Sequence, residues 1–205
     1  MFVKICGITN IKDAYACVEY QADAIGLNFY TRSKRYIQFD DAAAIVREVS
    51  PYVNTVGILV EPTLEDIALA FEATEVDAVQ VYDPNFDLGD FKFKKSLYCA
   101  VRVKESADVT AASRLGADLV FLDTYVPGEY GGTGVRSNWD KIAESGVDLS
   151  MKFVISGGLS DSNVCQAILK LRPYGVDTAS GVEISPRQKD HAKIKKFVSD
   201  AKECG

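Results

Sequence analysis

Apolar residues recur at i, i+3, i+4 and i+7 in five stretches of the chain, the spacing that lays one stripe of a helix against a core. The stretches are Ile11/Ala14/Tyr15/Val18, Ala42/Ile45/Val46/Val49, Leu64/Ile67/Ala68/Phe71, Val164/Ala167/Ile168/Leu171 and Ile194/Phe197/Val198/Ala201. Between them lie short apolar runs at Phe2–Cys6, Ala24–Asn28, Thr55–Val60, Ala78–Val81, Leu97–Val101, Leu119–Leu122, Phe153–Ile155 and Val176–Thr178. Runs this short, apolar on both alternating faces, predict strands covered on each side. Strands that alternate with helices pair in parallel through right-handed crossovers, because a parallel connection needs a dozen or more residues. Eight such units in 205 residues predict one α/β domain over residues 1–205, a compact (β/α)8 TIM barrel near the lower size limit of that fold. An open doubly wound sheet is the structural alternative.

A small or apolar residue followed by Asp recurs at the even-numbered strands, in Ala22-Asp23, Val76-Asp77, Ala117-Asp118 and Val176-Asp177. Asp suits the turn from helix to strand, and its recurrence favours closure. The fourth and sixth units are the weakest. Asp83-Pro84-Asn85-Phe86-Asp87-Leu88-Gly89 breaks any long helix after strand four, and a glycine-rich loop follows strand six as far as Trp139.

Composition narrows the partners. The net charge is −6 and no basic cluster interrupts it, which argues against nucleic acid or an anionic membrane. The start, Met1-Phe2-Val3-Lys4-Ile5-Cys6, lacks a basic segment leading into a long apolar one, and no run approaches a membrane span. A cytoplasmic protein is expected. The five cysteines are scattered without C-x-x-C pairing and read as reduced thiols rather than a disulfide framework.

In a barrel, chemistry gathers at the C-terminal ends of the strands. Those ends carry Cys6-Gly7, Ser33-Lys34-Arg35-Tyr36, Asp123, Ser156-Gly157-Gly158 and Ser180-Gly181. Gly157-Gly158 precedes a helix expected to begin near Asp161, and Gly181 follows strand eight. Loops after strands seven and eight bind phosphate through free backbone N–H groups, although glycine serves tight turns as well. The loop Pro127-Gly128-Glu129-Tyr130-Gly131-Gly132-Thr133-Gly134 is expected to serve the site or, failing that, to be a surface excursion.

Val3-Lys4-Ile5-Cys6-Gly7-Ile8-Thr9 resembles the opening motif of phosphoribosylanthranilate isomerases. Similar to that family, in order, are Gly26-Leu27-Asn28-Phe29 with Ser33-Lys34-Arg35-Tyr36, Leu122-Asp123-Thr124 with Gly131-Gly132-Thr133-Gly134, Ser156-Gly157-Gly158-Leu159 with Asn163-Val164, and Val176-Asp177-Thr178-Ala179-Ser180-Gly181-Val182-Glu183 with Lys189-Asp190. The resemblance implies a barrel enzyme that rearranges N-(5-phosphoribosyl)anthranilate to its 1-deoxyribulose 5-phosphate isomer in tryptophan biosynthesis, with no metal or organic cofactor, as a monomer or homodimer. It also implies roles: Asp123 as the acid at the ring oxygen, Cys6 as the base at C2, and Arg35 on the anthranilate carboxylate. Gly157, Gly158, Ser180 and Gly181 hold the phosphate, and Asp177 makes a supporting polar contact. Such roles require Asp123 to be protonated, through burial or a neighbouring negative charge, and Cys6 to be a thiolate, favoured by Lys4 or a helix dipole.

Two departures stand out. The family's usual Gln-Leu-His-Gly after strand four reads Gln80-Val81-Tyr82-Asp83, and its Pro-Gly-x-Lys-Asp reads Pro186-Arg187-Gln188-Lys189-Asp190. A metal-dependent phosphosugar epimerase needs a cluster of imidazole and carboxylate ligands, whereas the chain holds one histidine, His191, expected on the outside of the barrel. From another class, the alternative is a catalytically silent phosphosugar-binding barrel.

Overall fold

The structure is a computed structural model that describes residues 1–126, 130, 139–145 and 152–205. Strands β1 (Phe2–Cys6), β2 (Ala24–Asn28), β3 (Asn54–Val60), β4 (Ala78–Tyr82), β5 (Ser96–Val103), β6 (Leu119–Thr124), β7 (Phe153–Ile155) and β8 (Gly175–Thr178) form a closed barrel in chain order. All neighbours pair in parallel. Closure is carried by β1, where Lys4 lies opposite Ala24 of β2 on one side and Asp177 of β8 on the other. An open sheet would leave that second edge unpaired, so the doubly wound alternative is excluded.

Helices α1 (Ile11–Glu19), α2 (Phe39–Val49), α3 (Leu64–Thr74), α4 (Ser106–Ala112), α5 (Trp139–Glu144), α6 (Val164–Leu171) and α7 (His191–Cys204) surround the strands. Their starts are written locally. The Asn10 side chain accepts from Asp13 N, Thr63 and Asp66 form a capping box, and Asp190 accepts from Ala192 N and Lys193 N. The five periodic stretches correspond to α1, α2, α3, α6 and α7. Among the described residues the fourth unit has a single 3₁₀ turn, Leu88–Asp90, in place of a helix. There Phe91 and Phe93 cover the barrel by packing on Phe71 of α3, with ring centroids 6.5 and 5.4 Å away.

The recurring Asp residues have a shared task at three of four positions. Asp23 accepts from Val3 N at 2.8 Å, Asp77 from Thr55 N at 2.8 Å, and Asp118 from Leu97 N at 2.9 Å. Each carboxylate thus satisfies a backbone donor near the start of the preceding strand. Asp177 breaks the pattern because it lies within β8 and points into the barrel.

The thiol reading needs one correction. Cys165 of α6 and Cys204 at the end of α7 are joined as a disulfide, with Cα atoms 5.4 Å apart. The two helices pack side by side, so residues distant in the chain meet. Cys17 and Cys99 are free and buried, and burial pushes their thiols up to about 12 and about 11.

Candidate active site

Alternation along each strand sends every second residue into the barrel, and these inward positions build the site. Lys4 and Cys6 of β1, Gln80 and Tyr82 of β4, Asp123 of β6 and Asp177 of β8 gather toward the C-terminal mouth. A cavity opens there, and its walls include Cys6, Arg35, Gln80, Tyr82, Asp123, Asp177, Gly157, Gly158 and Ser180. Cys6 and Asp123, distant in the chain, therefore meet across one opening.

Asp123 is 3% exposed. Its Oδ2 accepts from the Tyr82 hydroxyl at 2.9 Å and its Oδ1 from Thr124 N at 2.7 Å. Burial raises the carboxyl most, both hydrogen bonds oppose it, Asp177 raises it further and Lys4 lowers it. The outcome is a carboxyl raised from 3.8 to about 6. The protonated form needed of an acid is thus accessible near neutrality.

Cys6 departs from expectation. Lys4, Lys189 and Arg35 all favour the thiolate, but burial is the larger influence and Asp177 adds to it, so the thiol lies above its ordinary 9.0. Lys4 itself is wholly buried, 2.9 Å from Asp177 Oδ1 and 5.0 Å from the centroid of the Phe121 ring. Its ammonium acts on both Asp177 and Cys6, and its pull on the thiol is outweighed by burial. Asp177 thus lines the cavity and pairs with Lys4.

Arg35 is buried and reaches the cavity wall over Gly7. That glycine has φ +74, and a Cβ there would lie 2.3 Å from Arg35 Cδ, so only glycine lets the side chain pass. The guanidinium is held by Glu183, with Nε donating to Oε1 at 2.8 Å and Nη2 to Oε2 at 2.6 Å. Lys189 Nζ donates to the same Oε1 at 2.9 Å and to Cys6 O at 2.7 Å. Burial disfavours ionised Glu183, yet the two cations outweigh it and hold the carboxyl below its usual range. Both residues come from an antiparallel hairpin after β8, β9 (Glu183–Ser185) and β10 (Gln188–Lys189). Arg187, at the family's glycine, keeps the turn with φ 75 and donates from Nη1 to Tyr36 O at 2.5 Å.

Gly157, Gly158 and Ser180 line the cavity, whereas Gly181 does not. A Cβ on Gly181 would sit 1.9 Å from Leu159 O, so this glycine brings the loop after β8 against the loop after β7. Helix α6 starts at Val164, later than the expected Asp161. The intervening turn is tied by Asn163, which donates from Nδ2 to Gly158 O at 3.0 Å and accepts from Ser160 N at 2.9 Å. Within the loop 127–134 only Tyr130 is described; it lines the cavity, and the rest lies outside the described residues.

The family model for N-(5'phosphoribosyl)anthranilate (PRA) isomerase matches residues 3–200. The chain belongs to that isomerase family. It is 38% identical over 201 residues to N-(5'-phosphoribosyl)anthranilate isomerase of Geobacter sp. (strain M21), covering 98% of this chain and 97% of that protein. Among solved structures it resembles phosphoribosyl anthranilate isomerase from Thermotoga maritima, with a TM-score of 0.88, 36% identity and 99% of each chain covered. It also resembles a phosphoribosyl anthranilate isomerase in complex with reduced 1-(o-carboxyphenylamino)-1-deoxyribulose 5-phosphate, with a TM-score of 0.83, 35% identity and 99% of each chain covered.

Against that family's motifs, four participants carried no sequence signal of their role. Glu183 and Lys189 fall inside the isomerase motifs but reveal their pairing with Arg35 and Cys6 O only in three dimensions. Gln80 is 1% exposed, and its Oε1 has no partner among the described residues. Tyr82, noted only as a departure from the isomerases' histidine, bonds directly to Asp123. His191 lies away from the cavity, half-exposed, with Nε2 2.8 Å from Asp13 Oδ1. Among the described residues no three His, Cys, Asp or Glu side chains group as metal ligands.

Proposed function

We infer that the chain isomerises N-(5'-phosphoribosyl)anthranilate to 1-(2-carboxyphenylamino)-1-deoxyribulose 5-phosphate, an aldose-to-ketose rearrangement of tryptophan biosynthesis. The observation that carries this reading is the meeting of Cys6 and Asp123 in one cavity, in a chain whose family is settled. Asp123 gives its proton to the furanose ring oxygen, and the ring opens to a Schiff base. Cys6 as thiolate removes the proton from C2, leaving an enolamine that tautomerises to the ketone. The two groups act as general acid and general base. No cofactor is assigned to either proton transfer.

Arg35 receives the anthranilate carboxylate, and the Arg35–Glu183–Lys189 chain of charges fixes its plane. The backbone at Gly157, Gly158 and Ser180 receives the phosphate, with Gly181 shaping that cradle from behind. Gln80 offers its unpaired acceptor to a sugar hydroxyl, since a buried acceptor without a partner is costly. The substrate is a small phosphosugar, and one barrel domain, alone or as a homodimer, carries the whole reaction. The cytoplasm is the expected setting; among the described residues no helix is long and apolar enough to cross a membrane.

The test is loss of the substrate's fluorescence, with phosphoribosylanthranilate generated in situ. Enzyme-dependent turnover is the expected result. Binding of a product analogue without turnover would replace this reading with a silent phosphosugar-binding barrel.

A further inference from the structure

Tyr82 is the last residue of β4, and it points inward beside Gln80. Its hydroxyl lies 2.9 Å from Asp123 Oδ2, with both residues buried. Among the described residues it is the only side chain bonded to the Asp123 carboxyl. The opposite oxygen, Oδ1, is held by Thr124 N. On the outer side the Tyr82 ring packs edge-on against Tyr130, with centroids 5.9 Å apart. Tyr130 is itself held by Arg102, 4.0 Å from its ring centroid, and by Glu61 Oε1, which accepts from its hydroxyl at 3.0 Å.

We propose that Tyr82 is a positioning residue for the reaction, its hydroxyl fixing the orientation of the Asp123 carboxyl and setting the acidity at which that group gives up its proton. This rests on the reading of Asp123 as the acid. The phenol suits the task because burial and Asp123 keep it protonated far above its usual range, so it remains a donor at any working pH. A donor favours the carboxylate. It therefore opposes burial and keeps Asp123 from becoming too weak an acid to protonate an ether oxygen. The other groups acting on Asp123 are Asp177 from β8 and Lys4 from β1. Cys6 shares the cavity, while Arg102, beside Asp123 in β5, is turned to Asp83 at 2.6 Å. Neither Asp177 nor Lys4 reaches the carboxyl with a hydrogen bond, so the phenol is the local control.

The experiment is Tyr82→Phe, which deletes the hydroxyl and keeps the ring against Tyr130. The Asp123 midpoint is read by carbon-13 NMR of labelled aspartate carboxyls, assigned by the peak lost in Asp123→Asn. The expected result is a midpoint about one pH unit higher, the size of losing one hydrogen bond to a charged group. Tyr130→Phe, which alters the neighbouring ring's outer bond alone, leaves the midpoint in place. An unmoved midpoint in Tyr82→Phe, or equal movement in both variants, overturns the proposal. The break in kcat/KM against pH should follow the NMR midpoint. A midpoint that moves while the kinetic break stays supports the coupling and instead overturns Asp123 as the acid.

Discussion

Replacing Asp123 with Asn should make the protein more stable while removing its activity. The carboxyl is 3% exposed and titrates at about 6 instead of 3.8. A shift of roughly two units at 1.36 kcal/mol each corresponds to about 3 kcal/mol. Because the folded-state value is the higher one, the native protein binds the proton more tightly than the unfolded chain between pH 3.8 and about 6. Stability therefore falls as pH rises through that window and stays reduced above it. Asn is neutral throughout. It can accept from Thr124 N and donate to the Tyr82 oxygen, so both neighbours keep a partner. Urea unfolding of the two proteins at pH 8 should favour Asp123→Asn by up to about 3 kcal/mol, and the gap should close near pH 4. Other titrating groups cancel in the difference. Equal stabilities at pH 8, or a gap that does not change with pH, would refute the reasoning.

Asp177→Asn leaves the Lys4 ammonium buried without its partner and should cost about 3–5 kcal/mol in chemical denaturation; adding Lys4→Met should recover most of it, and failure to do so would show the ion pair is not the cause. Cys204→Ser opens a covalent loop of sequence separation 39 and should lower stability under oxidising conditions by about 2–4 kcal/mol, a difference that disappears when both proteins are reduced. The profile of kcat/KM against pH should rise tenfold per unit up to about 6, where Asp123 titrates, and then run flat until the Cys6 thiol itself titrates, above its ordinary 9.0. Below that point the acid is already protonated and the rate follows the growing thiolate fraction; above it, gain of thiolate is offset by loss of protonated acid. A decline beginning at pH 6 would contradict this account.

The strands were legible because a closed barrel with helices outside buries both faces, and continuous apolar runs such as Thr55–Val60 follow directly. Helices with four apolar positions in register were equally plain. Helices α4 and α5 were not, because they bury only Val109 with Ala112 and Trp139 with Ile142 among their described positions. Nothing in the chain's periodicity could announce that Phe91 and Phe93 would do the work of a fourth helix. At the site, Cys6, Arg35 and Asp123 were recognisable because each sits in a motif at the end of a strand or, for Arg35, in the loop that follows one. Their partners were hidden by distance: Glu183 lies 148 residues from Arg35, and Lys4 sits in an apolar run whose alternation gives no hint of an ion pair inside the barrel. The thiol of Cys6 shows the same limit. Lys4 was a sound reason to expect a lowered value, but burial, invisible in the sequence, is the larger influence and reverses the sign.

The most direct measurement pairs turnover with binding in Cys6→Ser and Asp123→Asn. Each variant should lose at least about 10² in kcat while holding a reduced product analogue nearly as tightly as the parent protein. Turnover near the parent rate in either variant would contradict the assignment of that residue, and would remove the claim that a base and an acid meet across the mouth of this barrel.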